Sequence, residues 1–224
     1  MALILAIETG TDICSVALVR DGELVALRES DEERNHAKKI AVFVDELLKE
    51  CGVAADDLDA VAVSKGPGSY TGLRIGVSFA KGLCYGQNIP LVAVGSLDSL
   101  VEVAREDFEA GIIDVENWND ATLCPMIDAR RMEVFCSVYD TALNTVSGVE
   151  AKIIDEQSFA SELEEQTICF FGNGAEKCKA VITHPNAHFI SNIVPQAKYM
   201  GNLADTKNNI QNLKQMAYYE PFYL

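Results

Sequence analysis

The apolar pattern of this chain runs twice through nearly the same order of elements, and that repetition limits the folds open to it. Leu3 to Ile7 is a continuous apolar run, Cys14 to Arg20 alternates, and Asp21-Gly22 turns the chain into a third strand at Glu23 to Arg28. Asn35 stands where it would cap a helix from His36 to Glu50, with Ile40, Phe43, Val44, Leu47 and Leu48 at helical spacing and Gly52 as its stop. A strand at Ala60 to Ser64, a helix to about Gly86, a strand at Leu91 to Val94 and a helix from Ser96 to Ala104 follow. The first half therefore reads βββαβαβα.

Residues 105–120 are acidic, contain Gly111 and the sole Trp118, and read as a long connection or domain boundary. Beyond it come strands at Leu123 to Ile127, Glu133 to Tyr139 and Thr145 to Ile154, a helix from Glu156 to Glu165, a strand at Ile168 to Phe171, the turn Gly172-Asn173-Gly174 and a short helix. Each half ends its first strand on an acid, Glu8 or Asp128. The expectation is an α/β fold of the actin-like ATPase type: two βββαβα lobes with mixed central sheets and a cleft between them. The first lobe would span 1–104 and the smaller second lobe 105–195, with 196–224, helical from about Gln196 to Met216, returning to the first.

Gly66-Pro67-Gly68-Ser69-Tyr70-Thr71-Gly72-Leu73-Arg74-Ile75-Gly76 joins the fourth strand to its helix. A helix start offers free N–H groups and a positive dipole end, so a phosphate loop is the first reading to test. No Lys follows these glycines at P-loop spacing, and Thr71 stands where a dinucleotide loop needs Gly or Ala. Gly72, Gly76 and Ala80 recur every four residues beside a stripe of Leu73, Val77 and Leu83. That bare face admits close approach either of the chain's own lobe or of a partner helix.

The formal charge of −16 argues against nucleic-acid binding by this chain alone, because such affinity comes largely from Lys and Arg on phosphates. Seven scattered cysteines without a Cys-x-x-Cys pair read as small core residues in a reducing compartment. The N-terminal apolar run has no basic flank and is too short to span a membrane, so a cytoplasmic protein is expected.

Taken together, Ile4-Leu5-Ala6-Ile7-Glu8-Thr9, Asn35-His36, the 66–76 loop, Asp128-Ala129-Arg130, Gly172-Asn173-Gly174 and Glu220-Pro221-Phe222-Tyr223-Leu224 resemble the TsaB (YeaZ) family across nearly the whole chain. The resemblance implies a dimerisation subunit of the bacterial tRNA threonylcarbamoyladenosine (t6A) machinery, without transfer activity of its own. It implies a catalytic TsaD-like paralogue acting on N6 of adenosine 37 in tRNAs reading ANN codons, a TsaE-like ATPase, and tRNA met only through the complex. It also implies a homodimer through the helices that meet the paralogue. His36, Ile40, Phe43, Leu47, Tyr70, Gly72, Arg74, Gly76, Val77 and Ala80 are the interface residues expected on that basis.

No cofactor of the chain's own is expected, with ATP or ADP placed at the junction of the complex. Glu8, Thr9, Asp128, Gly172 and Gly174 would be the remains of a nucleotide cleft. Glu8 stands where related ATPases carry Asp, and one extra methylene displaces a metal-positioning carboxylate. Asp128 reads either as a ligand-side carboxylate or as an acid capping local N–H groups. No metal is expected: the paralogue's helix carries His-x-x-x-His, whereas here His36 is followed by Ile40, and Pro185 disfavours a helix that would align His184 with His188. His36 is expected at a surface or interface. The rival readings are an autonomous actin-like ATPase or kinase, and an endopeptidase acting on the paralogue.

Overall fold

A computed structural model describes residues 2–32, 35–116, 118–206, 210–211 and 213–224. In chain order the elements are β1 (Leu3–Glu8), β2 (Cys14–Arg20), β3 (Glu23–Ser30), α1 (His36–Cys51), β4 (Ala60–Gly66), α2 (Tyr70–Gln87), β5 (Leu91–Gly95) and α3 (Ser96–Glu109). Then come β6 (Thr122–Asp128), β7 (Glu133–Tyr139), β8 (Thr145–Ile153), α4 (Ala160–Glu165), β9 (Ile168–Phe171), β10 (Ala187–Ile190), α5 (Met200–Thr206), β11 (Ile210–Gln211) and α6 (Leu213–Ala217). The protein is α/β, with two mixed sheets. The chain divides into two compact units, 1–99 with 195–223 and 100–194, so the division falls inside α3.

The first unit holds a sheet in the order β11-β5-β4-β1-β2-β3, in which β5, β4 and β1 are parallel and β2 and β3 continue antiparallel. β1 is buried at every position because its period of two feeds two cores. Leu3, Leu5 and Ile7 meet Ile40, Phe43, Leu47 and Val77 from α1 and α2; Ile4 and Ala6 meet Ala197, Met200 and Leu203 of the returning segment. Asp21 and Gly22 both take positive φ, 51° and 83°, as a two-residue hairpin turn requires. Gly52 ends α1 in the left-handed conformation expected of it.

The second unit repeats the plan with the order β10-β9-β6-β7-β8, β6, β9 and β10 being parallel. Phe170 lies between Phe159 at 5.2 Å and Phe189 at 5.1 Å, and Cys124, Cys136 and Cys178 fill the remaining core as small apolar groups.

Asn35 holds the cap position of α1 as expected, through its carbonyl, which accepts from Lys38 N and Lys39 N, while its side chain donates to Glu32 at 2.8 Å. Three expectations are corrected. The helix expected to stop at Ala104 runs to Glu109, because Arg105 gathers Glu102 at 2.7 Å and Glu109 at 2.5 Å along one face. Trp118 is buried and stacks on Phe108 at 4.3 Å, so the acidic stretch is structured over most of its described length. The C-terminal stretch is α5, β11 and α6 rather than one helix, with 207–209 and 212 outside the described residues.

Candidate interaction site

The glycine loop does two things, and both concern its own lobe. Gly66 and Gly68 take φ of 103° and 154°, which side chains rarely adopt, and bring the chain from β4 into α2. The Thr9-Gly10 segment after β1 then lies directly on α2. An added β-carbon would come within 3.0 Å of Gly10 O at Gly68, of Thr9 O at Gly72 and of Thr9 Oγ1 at Gly76. Ser69 N donates to Gly10 O at 2.7 Å and Gly72 N to Ser69 Oγ at 3.2 Å, so the chain itself satisfies two of the N–H groups at the start of α2.

The expected open face at Gly72, Gly76 and Ala80 is therefore corrected: all three are buried within their own unit. Ile40, Phe43, Leu47 and Val77 are core residues too. His36 is 7% exposed rather than at the surface, its Nε2 lying 3.0 Å from Thr11 O and 3.3 Å from Ile13 O. With two carbonyls as neighbours, that nitrogen is the ring's N–H donor. Of the expected interface residues, only Tyr70 and Arg74 stand in solvent.

Those two belong to a surface that also draws on the end of the chain. Arg74 donates to Tyr70 Oη at 2.7 Å and lies over its ring, and Tyr70 packs on Tyr223 at 4.8 Å. Lys81 binds the carbonyls of Ala217 and Tyr219, while Phe222 N donates to Lys65 O at 2.7 Å, which fastens the terminal segment along α2. Tyr70, Arg74, Ser78, Lys81, Tyr219 and Tyr223 line a shallow pocket of about 280 Å³. The Tyr219 hydroxyl is buried without a partner among the described residues, and burial pushes its pKa up. Farther along α2 the open small-residue positions are Gly82 and Gly86, next to Tyr85, which is 78% exposed. Sequence periodicity marked the glycines of α2, but nothing local tied Tyr219 and Tyr223 to Tyr70.

The residues of the expected nucleotide cleft fall in separate units. In the first, Glu8 and Thr9 are fully buried. Glu8 Oε1 accepts from Gly10 N at 2.6 Å, and burial raises the carboxyl pKa to about 7. Glu8 Oε2, Thr9 Oγ1 and Ser96 Oγ have no hydrogen-bond partner among the described residues. A carboxyl so enclosed, with Gly10 N on one oxygen, is not open to the metal of a bound nucleotide.

In the second unit Gly172, at φ 98°, and Gly174 let the chain touch the end of β6, where Asn173 Oδ1 accepts from Asp128 N at 3.1 Å. The Asp128 carboxylate accepts from Arg130 N at 3.0 Å and from Lys177 Nζ, so it holds a local turn together. A pocket of about 450 Å³ opens beside Gly172, Asn173, Phe189 and Asn192. Among the described residues no group of three or more His, Cys, Asp or Glu is placed to hold a metal, and no helix is long and apolar enough to cross a membrane. His184 lies in a turn, its Nδ1 accepting from Asn186 N, while His188 is on β10.

The family model for TsaD, tRNA N6-adenosine threonylcarbamoyltransferase, matches residues 30–213. The Bacillus subtilis protein named tRNA threonylcarbamoyladenosine biosynthesis protein TsaB is 32% identical over 80% of this chain and 74% of its own length. The chain belongs to the TsaB/YeaZ family. The family's Haemophilus influenzae member is 37% identical over 60% of this chain, and the match spans 52% of that relative. YeaZ from Pseudomonas aeruginosa superposes with a TM-score of 0.80 at 26% identity, both chains covered in full.

Proposed function

We propose that this chain acts in t6A biosynthesis as a non-catalytic subunit that binds a TsaD-like paralogue, which transfers the threonylcarbamoyl group to N6 of adenosine 37. The observation that carries the reading is the pair His36 and Ile40. Where the paralogue family places two metal-binding histidines, one is bonded to backbone carbonyls and the other is replaced by an isoleucine 2% exposed in the core. A single enclosed imidazole does not hold a metal ion.

The surface of Tyr70, Arg74 and Tyr223 is the proposed docking site, since exposed Tyr and Arg beside a partly enclosed pocket have the composition of binding hot spots. A second copy of the chain would compete for it, a TsaE-like ATPase would join the assembly elsewhere, and nucleotide would bind at the junction with the paralogue. Titrating the purified paralogue with wild type and with Tyr70→Ala/Arg74→Ala tests this. A roughly 30-fold loss of affinity or more is expected; unchanged affinity of the folded variant would count against it.

A further inference from the structure

The β6–β7 connection carries two arginines in a conformation that arginine rarely adopts. Arg130 and Arg131 have φ of 72° and 48°, the left-handed region where Gly, Asn or Asp is usual. Hydrogen bonds from Ala129 N to Glu133 O and from Glu133 N to Arg130 O, both 3.1 Å, close the turn. A local choice that works against the backbone points to a use for the side chains.

Charge gives a second, independent indication. On a chain of formal charge −16, Arg28 is bound by Glu46 and Glu50, and Arg105 by Glu102 and Glu109. Arg130 and Arg131, like Arg20 and Arg74, are exposed and meet no carboxylate among the described residues, but of these four they are the two that stand side by side. Two acids flank the pair in sequence: Asp128 binds Lys177, whose Nζ also donates to the main-chain oxygen of Glu133 at 2.6 Å. Asn173 fixes the backbone of Asp128 from the other side. The result is two adjacent guanidinium groups held out on a braced turn, in ion pair with neither Asp128 nor Glu133 among the described residues.

We propose that this turn binds phosphate, and that its ligand is the phosphodiester backbone of RNA held by the assembled complex. The planar guanidinium fork matches phosphate oxygens in paired hydrogen bonds, and two such groups suit a backbone contact that positions the RNA without reading its sequence. The acidity of the remaining chain makes this a supplementary contact, effective when the catalytic partner supplies most of the affinity. The choice of RNA rests on the function proposed above.

The test uses the complex of this chain with its catalytic paralogue and labelled unmodified tRNA, titrated at several salt concentrations. Arg130→Asn/Arg131→Asn keeps residues that tolerate the left-handed backbone, so the thermal midpoint should hold or rise. We expect tRNA affinity to fall about 10-fold at 0.1 M salt and the slope of log K against log salt to become shallower by about 1 to 2. Arg130→Lys/Arg131→Lys should restore the slope. Unchanged affinity and slope would overturn the inference.

Two other outcomes would also overturn it. In one, affinity for the paralogue falls instead, which would mean an acidic protein surface. In the other, inorganic phosphate or ATP binds at the turn while tRNA affinity is untouched. Failure of the wild-type complex to form, seen in the paralogue titration itself, would refute the proposed function and this inference with it.

Discussion

The backbone oxygen of Thr9 lies over Gly72 so closely that a β-carbon at position 72 would come within 3.0 Å of it. The same loop covers Gly68 through Gly10 O and Gly76 through Thr9 Oγ1. The glycine periodicity of α2 thus records the passage of the chain's own β1–β2 loop. The side of α2 left for another molecule is the one that bears Arg74, Ser78, Gly82 and Tyr85.

Two glycines of one helix should respond in opposite directions. Gly72→Ala forces a side chain against a backbone carbonyl and should cost about 1–3 kcal/mol, as overpacking does. Gly82 has nothing within 4 Å of an added β-carbon. Gly82→Ala should therefore stabilise by roughly 0.5–1 kcal/mol through helix propensity. Urea denaturation of both variants decides the matter; equal effects would contradict the packing described.

Glu8 should make stability depend on pH. Burial lifts its carboxyl from 4.5 to about 7, against the opposing hydrogen bonds from Gly10, Ser64 and Thr9. The unfolded chain loses this proton near 4.5 while the native protein keeps it to about 7, so in that window the native state binds more protons and stability falls as pH rises. The full contribution is of order 3 kcal/mol. Glu8→Gln should flatten that slope and be the more stable protein above pH 7, as read from urea midpoints between pH 5 and 8. Parallel pH profiles for the two proteins would refute this.

Thiol reactivity should divide the cysteines sharply. Cys51 is half-buried and the other six are buried, with burial pushing Cys14 up to about 11 and Cys84 and Cys169 to about 12. A colorimetric thiol reagent at pH 8 should find one fast group, abolished in Cys51→Ser, and release the rest only after denaturation. Several fast thiols in the Cys51→Ser protein would show the cores to be more open than described.

Much of the fold is legible in the residues because its signals are local. Asp21-Gly22 dictates a hairpin, the spacing from Ile40 to Leu47 dictates one buried helix face, and Gly52 dictates its end. Glycines are less explicit: Gly72 and Gly76 announce that something comes close, and the same spacing serves a loop of the chain itself or a foreign helix. Composition misleads at 105–109, where acids that look like a loop surround Arg105 on a helix. The aromatic surface was only half visible. Tyr70 and Arg74 share one helix turn, but Tyr223 reaches them through contacts distant in sequence: Phe222 N donates to Lys65 O, and Lys81 Nζ donates to Tyr219 O. β10 escaped notice because four residues after a proline turn carry too short a pattern.

The role proposed for the chain is to serve t6A formation by binding and not by chemistry. Its most direct test is nucleoside analysis of unmodified tRNA incubated with the threonylcarbamoyl donor and the reconstituted components. We expect no t6A from this chain alone, t6A from the full set, and a loss with Tyr70→Ala/Arg74→Ala that excess variant protein restores. Formation of t6A by this chain without its paralogue, or undiminished formation by the other components in its absence, would contradict it.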